Sequence, residues 1–240
     1  MELDWPAKVA VWILPVLFAI TVHEAAHGWV ANKLGDPTAR MLGRLTLNPI
    51  KHIDPVGTIL VPALLLFSGA GILMGWAKPV PVAMRNLRRP RRDMALVAAA
   101  GPGSNLLMAF FWAVVAKLAV VYHLAFTPDT GMIPVFFLSA GVAGIFINTV
   151  LMVINLLPIP PLDGGRVLAG IVPPRISAML DSMERFGLII VLVLLASGAL
   201  SWIVTPALGA VIQFILTVLQ IPLEYFMTVQ ALIWPGGGGG

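Results

Sequence analysis

Three ionisable side chains lie within five residues of an otherwise apolar segment: His23, Glu24 and His27. If the segment is helical, His23 and His27 share one face, one turn apart, and their ring nitrogens can bind the same tetrahedral Zn²⁺. Glu24 then lies beside the metal, where a carboxylate can take a proton from the water that the metal activates. Ionisable groups inside a membrane helix are costly unless ligated or paired, so the pattern predicts a zinc site rather than two structural histidines.

A third protein ligand is expected, because catalytic zinc sites commonly use three protein ligands and a water molecule. The chain has no cysteine, so this ligand must be His, Asp or Glu. Asp163 is the candidate because it lies in Asn155–Arg166, where three prolines break an apolar helix and two glycines follow the aspartate. A helix broken at membrane depth is tolerated where it lines a site. The other acids lie mostly in loops.

Polar residues other than the three candidate ligands and Glu24 could also take part in catalysis or metal binding. Asn155 lies eight residues before Asp163, and we expect it to be a catalytic-site residue whose neutral amide holds a substrate backbone or supports the oxyanion without competing for zinc. The alternative for Asn155 is an interhelical hydrogen bond, and such a bond is what we expect of Asn105. His52 and Asp54 could form an alternative metal site or a gate, but turn and cap hydrogen bonds are the favoured interpretation.

The composition predicts the environment of these residues. The chain is 59% hydrophobic and 11% charged, against about 45–50% and about 25% in soluble domains. The apolar blocks are long enough for membrane helices, so we expect an all-α polytopic membrane protein with about five full transmembrane helices. The predicted spans are Val9–Leu34, Met94–His123, Ile133–Leu157, Phe186–Val204 and Pro206–Ile233.

The segment Val56–Trp76 is apolar but interrupted by Pro and Gly, and basic residues flank it on both sides. A re-entrant segment keeps both basic clusters in the cytoplasm, with the N-terminus outside and the C-terminus inside. Short edge strands are predicted at Arg40–Leu47 and Gly75–Val82. Residues 1–235 are expected to form one membrane-embedded domain, and the glycine run 236–240 to be a linker or cloning remnant.

The pairing of His-Glu-x-x-His in one span with a later Asn-x₂-Pro-x₂-Pro-Leu-Asp-Gly motif resembles the site-2 protease family of intramembrane metalloproteases. The resemblance covers nearly the whole chain. It implies that His23, His27 and Asp163 ligate one zinc ion per chain and that Glu24 is the general base.

Two further segments carry the resemblance. Gly101–Asn105 is similar to the family's small-residue motif in the middle core span, although close helix packing alone would explain its small residues. Gly75–Val82 is similar to a segment of the compact bacterial branch, and the chain carries no recognisable PDZ or CBS-type domain. This branch implies a bacterial inner membrane, with the active site near the cytoplasmic side.

The predicted function is hydrolysis of peptide bonds within or near transmembrane segments of membrane proteins. The expected partners are such a substrate and the lipid bilayer, and nucleic acid is not expected, since the net charge of +4 is typical of basic cytoplasmic loops. A metal transporter is one rival, which would distribute acids and histidines along a path across the membrane. A non-proteolytic scaffold is the other, which would not need Glu24.

Overall fold

The structure is a computed structural model that describes residues 4–61, 64, 75–126 and 132–234. Its helices, in chain order, are α1 (Trp5–Lys33), α2 (Thr38–Met41), α3 (Pro90–Phe126), α4 (Met132–Asn155), α5 (Asp163–Ile171), α6 (Pro174–Met183), α7 (Gly187–Ala196), α8 (Ala199–Val218) and α9 (Leu223–Ile233). Short 3-10 turns cover Pro49–Lys51, Met84–Asn86 and Glu184–Phe186, and a π-helical turn covers Pro55–Leu60. The described chain is therefore all-α, as predicted.

The number of spans differs from the prediction. Among the described residues, four helices are long and apolar enough to cross a membrane, namely α1, α3, α4 and α8. The predicted spans Phe186–Val204 and Pro206–Ile233 are wrong, because three helices, α7, α8 and α9, replace them. The break falls at Gly198, whose φ of 73° is a conformation that glycine adopts at little cost. Pro206, which was expected to mark the boundary, lies inside α8.

The predicted edge strands are also wrong, since no strand occurs in the parts of the chain that the structure describes. Residues 77–83 contain no helix, turn or bend. Their backbone N–H groups nevertheless do not pair with a neighbouring strand, because Val80 N–H donates to the carboxylate of Glu24 and Ala83 N–H to that of Asp36. Pro79 and Pro81 have no N–H to contribute to a ladder. The proposed re-entrant path of Val56–Trp76 lies mostly outside the described residues.

The two chain ends lie at the same end of the helix bundle. Trp12 Nε1 donates to the carbonyl of Ile233 at 3.0 Å, so the end of α9 packs beside the first half of α1. Lys117, in the second half of α3, donates to the carbonyl of Leu219 at 2.7 Å. Among the described residues the last helix thus ends beside the first half of α1, which does not fit the expectation that the N- and C-termini lie on opposite sides of the membrane.

Helices α1, α3 and α4 form the centre of the fold. The contact between α3 and α4 is the most extensive, and α1 packs against both. Glycine makes the close approach possible: a Cβ added at Gly144 would lie 2.1 Å from Cγ of Trp112, and one at Gly141 would lie 2.7 Å from Cβ of Ala116. Small residues at helix contacts are the usual means of tight packing in membranes.

The short helix α5 is fastened to the start of α3. Arg91 donates through one guanidinium nitrogen to the carbonyls of Val172, at 2.6 Å, and Ala169, at 3.2 Å. The positive charge of Arg91 also interacts favourably with the negative end of the α5 helix dipole, which lies at these carbonyls. A Cβ at Gly170 would lie 2.5 Å from Cβ of Ala95. The other end of α5 begins with Asp163, so these contacts help to place that side chain.

Candidate metal centre and active site

Three predicted ligand residues from two helices converge on one point. His23 and His27 lie one turn apart on α1, and Asp163 is the first residue of α5. The two Nε2 atoms lie 3.1 Å apart, and Oδ2 of Asp163 lies 3.2 Å from Nε2 of His23 and 3.3 Å from Nε2 of His27. Within the described part of the chain, this is the one group of histidine and acidic side chains arranged to bind a metal ion.

The partners of the two rings determine where their hydrogens lie. His27 Nδ1 lies 2.7 Å from the carbonyl oxygen of Val97, and His23 Nδ1 lies 2.5 Å from Oδ1 of Asn105. Both partners are acceptors, so each Nδ1 carries the hydrogen and each neutral ring presents a lone pair at Nε2.

The donor set fits zinc. Oδ2 of Asp163 is buried and has no hydrogen-bond donor among the described residues, so it faces the two Nε2 lone pairs as a third acceptor. Such a cluster is repulsive unless a cation lies between its members. A tetrahedral zinc ion with bonds of about 2.0–2.1 Å holds its ligand atoms about 3.3–3.4 Å apart, close to the 3.1–3.3 Å found here.

Helix α3 closes the site on one side through a glycine. A Cβ added at Gly101 would lie 2.4 Å from Nε2 of His27 and 2.6 Å from Cε1 of His23. Any other residue at this position would therefore press on the ligand rings. Gly103, two residues further along, would meet nothing within 4 Å, so the two glycines of the motif have different roles.

The break between α4 and α5 places Asp163 at the site. The chain turns back after Asn155, through Leu156 to Leu162, with a cis peptide bond between Pro160 and Pro161. A Cβ at Gly164 would lie 2.3 Å from the carbonyl oxygen of Leu156, and one at Gly165 would lie 2.6 Å from the backbone nitrogen of Pro160. The two glycines thus allow the start of α5 to pack directly on the turn that precedes it.

Glu24 faces a different neighbour from the two histidines. Its Oε2 accepts the backbone N–H of Val80 at 2.7 Å. The segment around Val80 packs directly on α1, since a Cβ at Gly28 would lie 3.0 Å from Cγ1 of Val80. The carboxylate is thus next to the ligand pair in the helix but is held from the side by the extended segment.

Asp36 fastens this extended segment to the end of α1. Its fully buried carboxylate accepts hydrogen bonds from Asn86 Nδ2, the backbone N–H of Ala83, and both the N–H and the hydroxyl of Thr38. Burial alone would raise the pKa of Asp36, but these hydrogen bonds outweigh it and hold the pKa below its ordinary value. The carboxylate therefore stays ionised and keeps residues 83–86 against the end of α1.

The other predicted residues lie apart from this cluster. Asn155 is the last residue of α4, and its amide donates to the carbonyl of Leu151 at 2.9 Å. Asp54 caps the turn that follows it by accepting the N–H groups of Val56 and Gly57. His52 is buried, and its Nε2 lies 2.9 Å from the carbonyl of Thr46. The prediction of turn and cap hydrogen bonds for His52 and Asp54 is confirmed.

Three contacts of the site do not follow from the sequence patterns. An interhelical hydrogen bond is expected of Asn105, but not one to a candidate metal-ligand histidine. Gly101 was attributed to helix packing, and Val80 was not considered. The spacing of the Gly101–Asn105 motif could have suggested the first two, since residues four apart share a helix face. Nothing local to Val80 indicates that its N–H meets Glu24, 56 residues away in the sequence.

The described residues provide four apolar helices long enough to cross a membrane and a buried group of two histidines and an aspartate that could hold a metal ion. These are features that a zinc-dependent membrane peptidase requires, and comparison with known families agrees. The family model described as "Peptidase family M50" matches residues 11–198. The chain belongs to this family, which includes the site-2 proteases. It is an integral membrane protein and an intramembrane zinc metalloprotease, and its metal is zinc.

Individual relatives support the same assignment. The chain is 42% identical over 200 residues to "Putative zinc metalloprotease YwhC" of Bacillus subtilis. The aligned region covers 82% of this chain and 85% of the relative. It is 31% identical over 196 residues to "Putative zinc metalloprotease Rip2" of Mycolicibacterium smegmatis, covering 80% of this chain and 70% of the relative. The Rip2 protein of Mycobacterium tuberculosis is 32% identical over 187 residues, covering 77% and 66%. No solved structure matches the chain.

Proposed function

We propose that His23, His27 and Asp163 hold the zinc ion and that Glu24 is the general base for cleavage of peptide bonds within or near transmembrane segments. The observation that carries this proposal is the convergence of three acceptor atoms at 3.1–3.3 Å from one another. The rival role of transporter would need ligands spread across the membrane, whereas these three meet at one depth. The position of Glu24 beside the ligand pair supports an enzyme over a scaffold.

The chemistry divides between the metal and the chain. A zinc ion bound at this site would lower the pKa of a water molecule and polarise the scissile carbonyl. Glu24 accepts the proton of the attacking water and returns it to the leaving amine. Oε2 of Glu24 accepts the hydrogen bond from Val80. We therefore assign the other carboxylate oxygen, Oε1, as the atom that accepts the proton from water.

Asn155 is the proposed substrate-binding residue. One amide hydrogen is donated to Leu151, and a primary amide has a second N–H and a carbonyl oxygen for other partners. A substrate peptide in an extended form has free backbone groups that such an amide can bind, whereas the backbone of a helical segment is already paired. The substrate is therefore a membrane-embedded segment that opens locally at the cleaved bond.

The depth of the site supports an active site near the cytoplasmic face of a bacterial inner membrane. His27 lies six residues before the end of α1 at Lys33, about 9 Å along the helix. Basic residues gather at that end of the bundle, and such residues are typical of the cytoplasmic side. They are Lys33, Arg40, Arg44, Lys51, Lys78, Arg85, Arg88, Arg89, Arg91 and Arg92.

The test separates metal binding from proton transfer. Glu24→Gln should keep zinc but lose cleavage by about 10²- to 10⁴-fold, the usual contribution of a general acid–base group. His23→Ala and Asp163→Ala should lose both. Zinc content is measured by atomic absorption on purified protein, and cleavage by proteomics of membrane fragments in cells that express each variant. Wild-type turnover by Glu24→Gln, or full zinc content in Asp163→Ala, would remove the corresponding assignment.

A further inference from the structure

A chain of buried amides links the metal ligand His23 to two other helices. Asn105 on α3 and Asn148 on α4 are both fully buried. Oδ1 of Asn105 meets Nδ1 of His23 at 2.5 Å, and Nδ2 of Asn105 donates to Oδ1 of Asn148 at 3.0 Å. Nδ2 of Asn148 in turn donates to the carbonyl of Gly144 at 2.9 Å.

The direction of this chain is determined by backbone carbonyls, which can only accept. Because the carbonyl of Gly144 accepts from Asn148, the amide of Asn148 must turn its oxygen toward Asn105. Oδ1 of Asn148 and the carbonyl oxygen of Ala19, at 3.3 Å, are both acceptors, so the NH₂ group of Asn105 must point toward them and away from His23. The oxygen of Asn105 then faces His23, whose Nδ1 must carry the hydrogen.

We infer that Asn105 is a positioning residue that sets the tautomer of His23, and that Asn148 supports it without contacting the ligand. In the selected tautomer Nε2 is free to bind metal. An unconstrained imidazole can carry its single hydrogen on either nitrogen, and a hydrogen on Nε2 would block the metal. Outer partners of this kind typically change metal affinity by about tenfold to a hundredfold. The inference rests on the proposed ligand role of His23.

His27 provides an internal control. Its Nδ1 meets the backbone carbonyl of Val97 at 2.7 Å, so its tautomer is set by a group that no side-chain substitution at Asn105 or Asn148 removes. The two ligands are neighbours on one helix but are oriented by independent partners.

The experiment measures the tautomers directly in zinc-free protein labelled with ¹⁵N at histidine, using ring ¹⁵N chemical shifts at a pH where the rings are neutral. In wild type both ligands should carry the hydrogen on Nδ1. Asn105→Leu should move His23 toward the Nε2–H form and leave His27 unchanged. Asn105→Asp keeps an acceptor for His23 and should retain the Nδ1–H form, and it should lower the melting temperature because it loses the N–H donors to Ala19 and Asn148. A His23→Gln variant assigns the signals.

Zinc affinity gives the second readout, by competition with a chromophoric chelator. Asn105→Leu should weaken zinc binding about tenfold to a hundredfold. Asn148→Leu should weaken it less, because Asn105 still donates to Ala19, and the double variant should be no weaker than Asn105→Leu. If Asn105→Leu does not fold, Asn105→Asp and Asn148→Leu carry the test.

The inference is overturned if His23 keeps its tautomer in Asn105→Leu, or if the two asparagine substitutions act additively on zinc affinity. Neither result depends on proteolysis. Failure of wild type to bind zinc would instead count against the proposed metal site.

Discussion

The substitution Gly101→Ala adds one methyl group at the metal centre. Gly101 is buried in α3, and its backbone φ lies outside the range that favours glycine, so alanine is compatible with the local conformation. In the helix itself alanine would be favoured over glycine by about 0.5–1 kcal/mol. Any loss must therefore come from what the new methyl group meets, which is the pair of histidine rings.

The size of the conflict follows from the distances. The new Cβ would lie 2.4 Å from His27 Nε2, whereas ordinary contact begins at 3.4 Å, so the ring must move by about 1.0 Å. Metal ligands tolerate about 0.2 Å. Overpacking of this kind costs about 1–3 kcal/mol, and it falls on the zinc-bound state because the ring can move aside only when no metal holds it. At about 1.4 kcal/mol per tenfold change, zinc affinity should fall about fivefold to a hundredfold.

The matched control is Gly103→Ala, which adds the same methyl group two residues along α3 where nothing lies within 4 Å. Both variants are purified in detergent, stripped of zinc and titrated against a chromophoric chelator, and their melting temperatures are recorded. Gly103→Ala should match wild type in zinc affinity. Equal zinc affinity for the two variants would refute the assignment of Gly101 as the wall of the metal site.

Two further predictions concern the substrate residue and the topology. Asn155→Ala should keep zinc and thermal stability but lower turnover at least about tenfold, which corresponds to about 1.4 kcal/mol of activation free energy. Asn155→Asp should lower turnover further, because a carboxylate repels the developing oxyanion. If Asn155→Ala melts early while turnover per folded molecule stays normal, the role of Asn155 is structural. Single cysteines placed in this cysteine-free chain at Arg40 and Arg88 should react with an impermeant thiol reagent only from the cytoplasm, and one at Gln220 only from outside. Labelling of Arg88 and Gln220 positions from one face would contradict the four-span arrangement.

The proposed ligand set could be predicted from the sequence because zinc accepts few side-chain types. Without cysteine, candidates reduce to histidine and acidic residues, and an apolar chain carries few of these inside its spans. The spacing of His23 and His27 is a local property of one helix. Asp163 was recognisable through the prolines and glycines around it, whose effects on backbone geometry are also local. The structure brings these three side chains together.

The helix breaks and the extended segment were harder to predict from the sequence. Hydropathy reports where a chain can lie in lipid but not where a helix ends, and the break at Gly198 instead uses a positive φ that glycine adopts at little cost. The strand prediction failed for a similar reason. Alternation near Gly75–Val82 is typical of a strand, yet Glu24 and Asp36, distant in sequence, take the N–H groups that a neighbouring strand would have needed.

These contacts separate the two parts of the site physically. The two proposed histidine ligands are oriented by α3, because Asn105 bonds to the ring of His23 and Gly101 leaves room for both rings on α1. Glu24 follows the proposed ligand His23 in sequence, but it is held by Val80 in an extended segment that Asp36 fastens from outside α1. Changes on α3 should therefore act first on zinc affinity, whereas changes in the segment should act on proton transfer with zinc retained. In this arrangement α3 orients the candidate histidine ligands, whereas an extended segment orients the base, which lies on the same helix as His23 and His27.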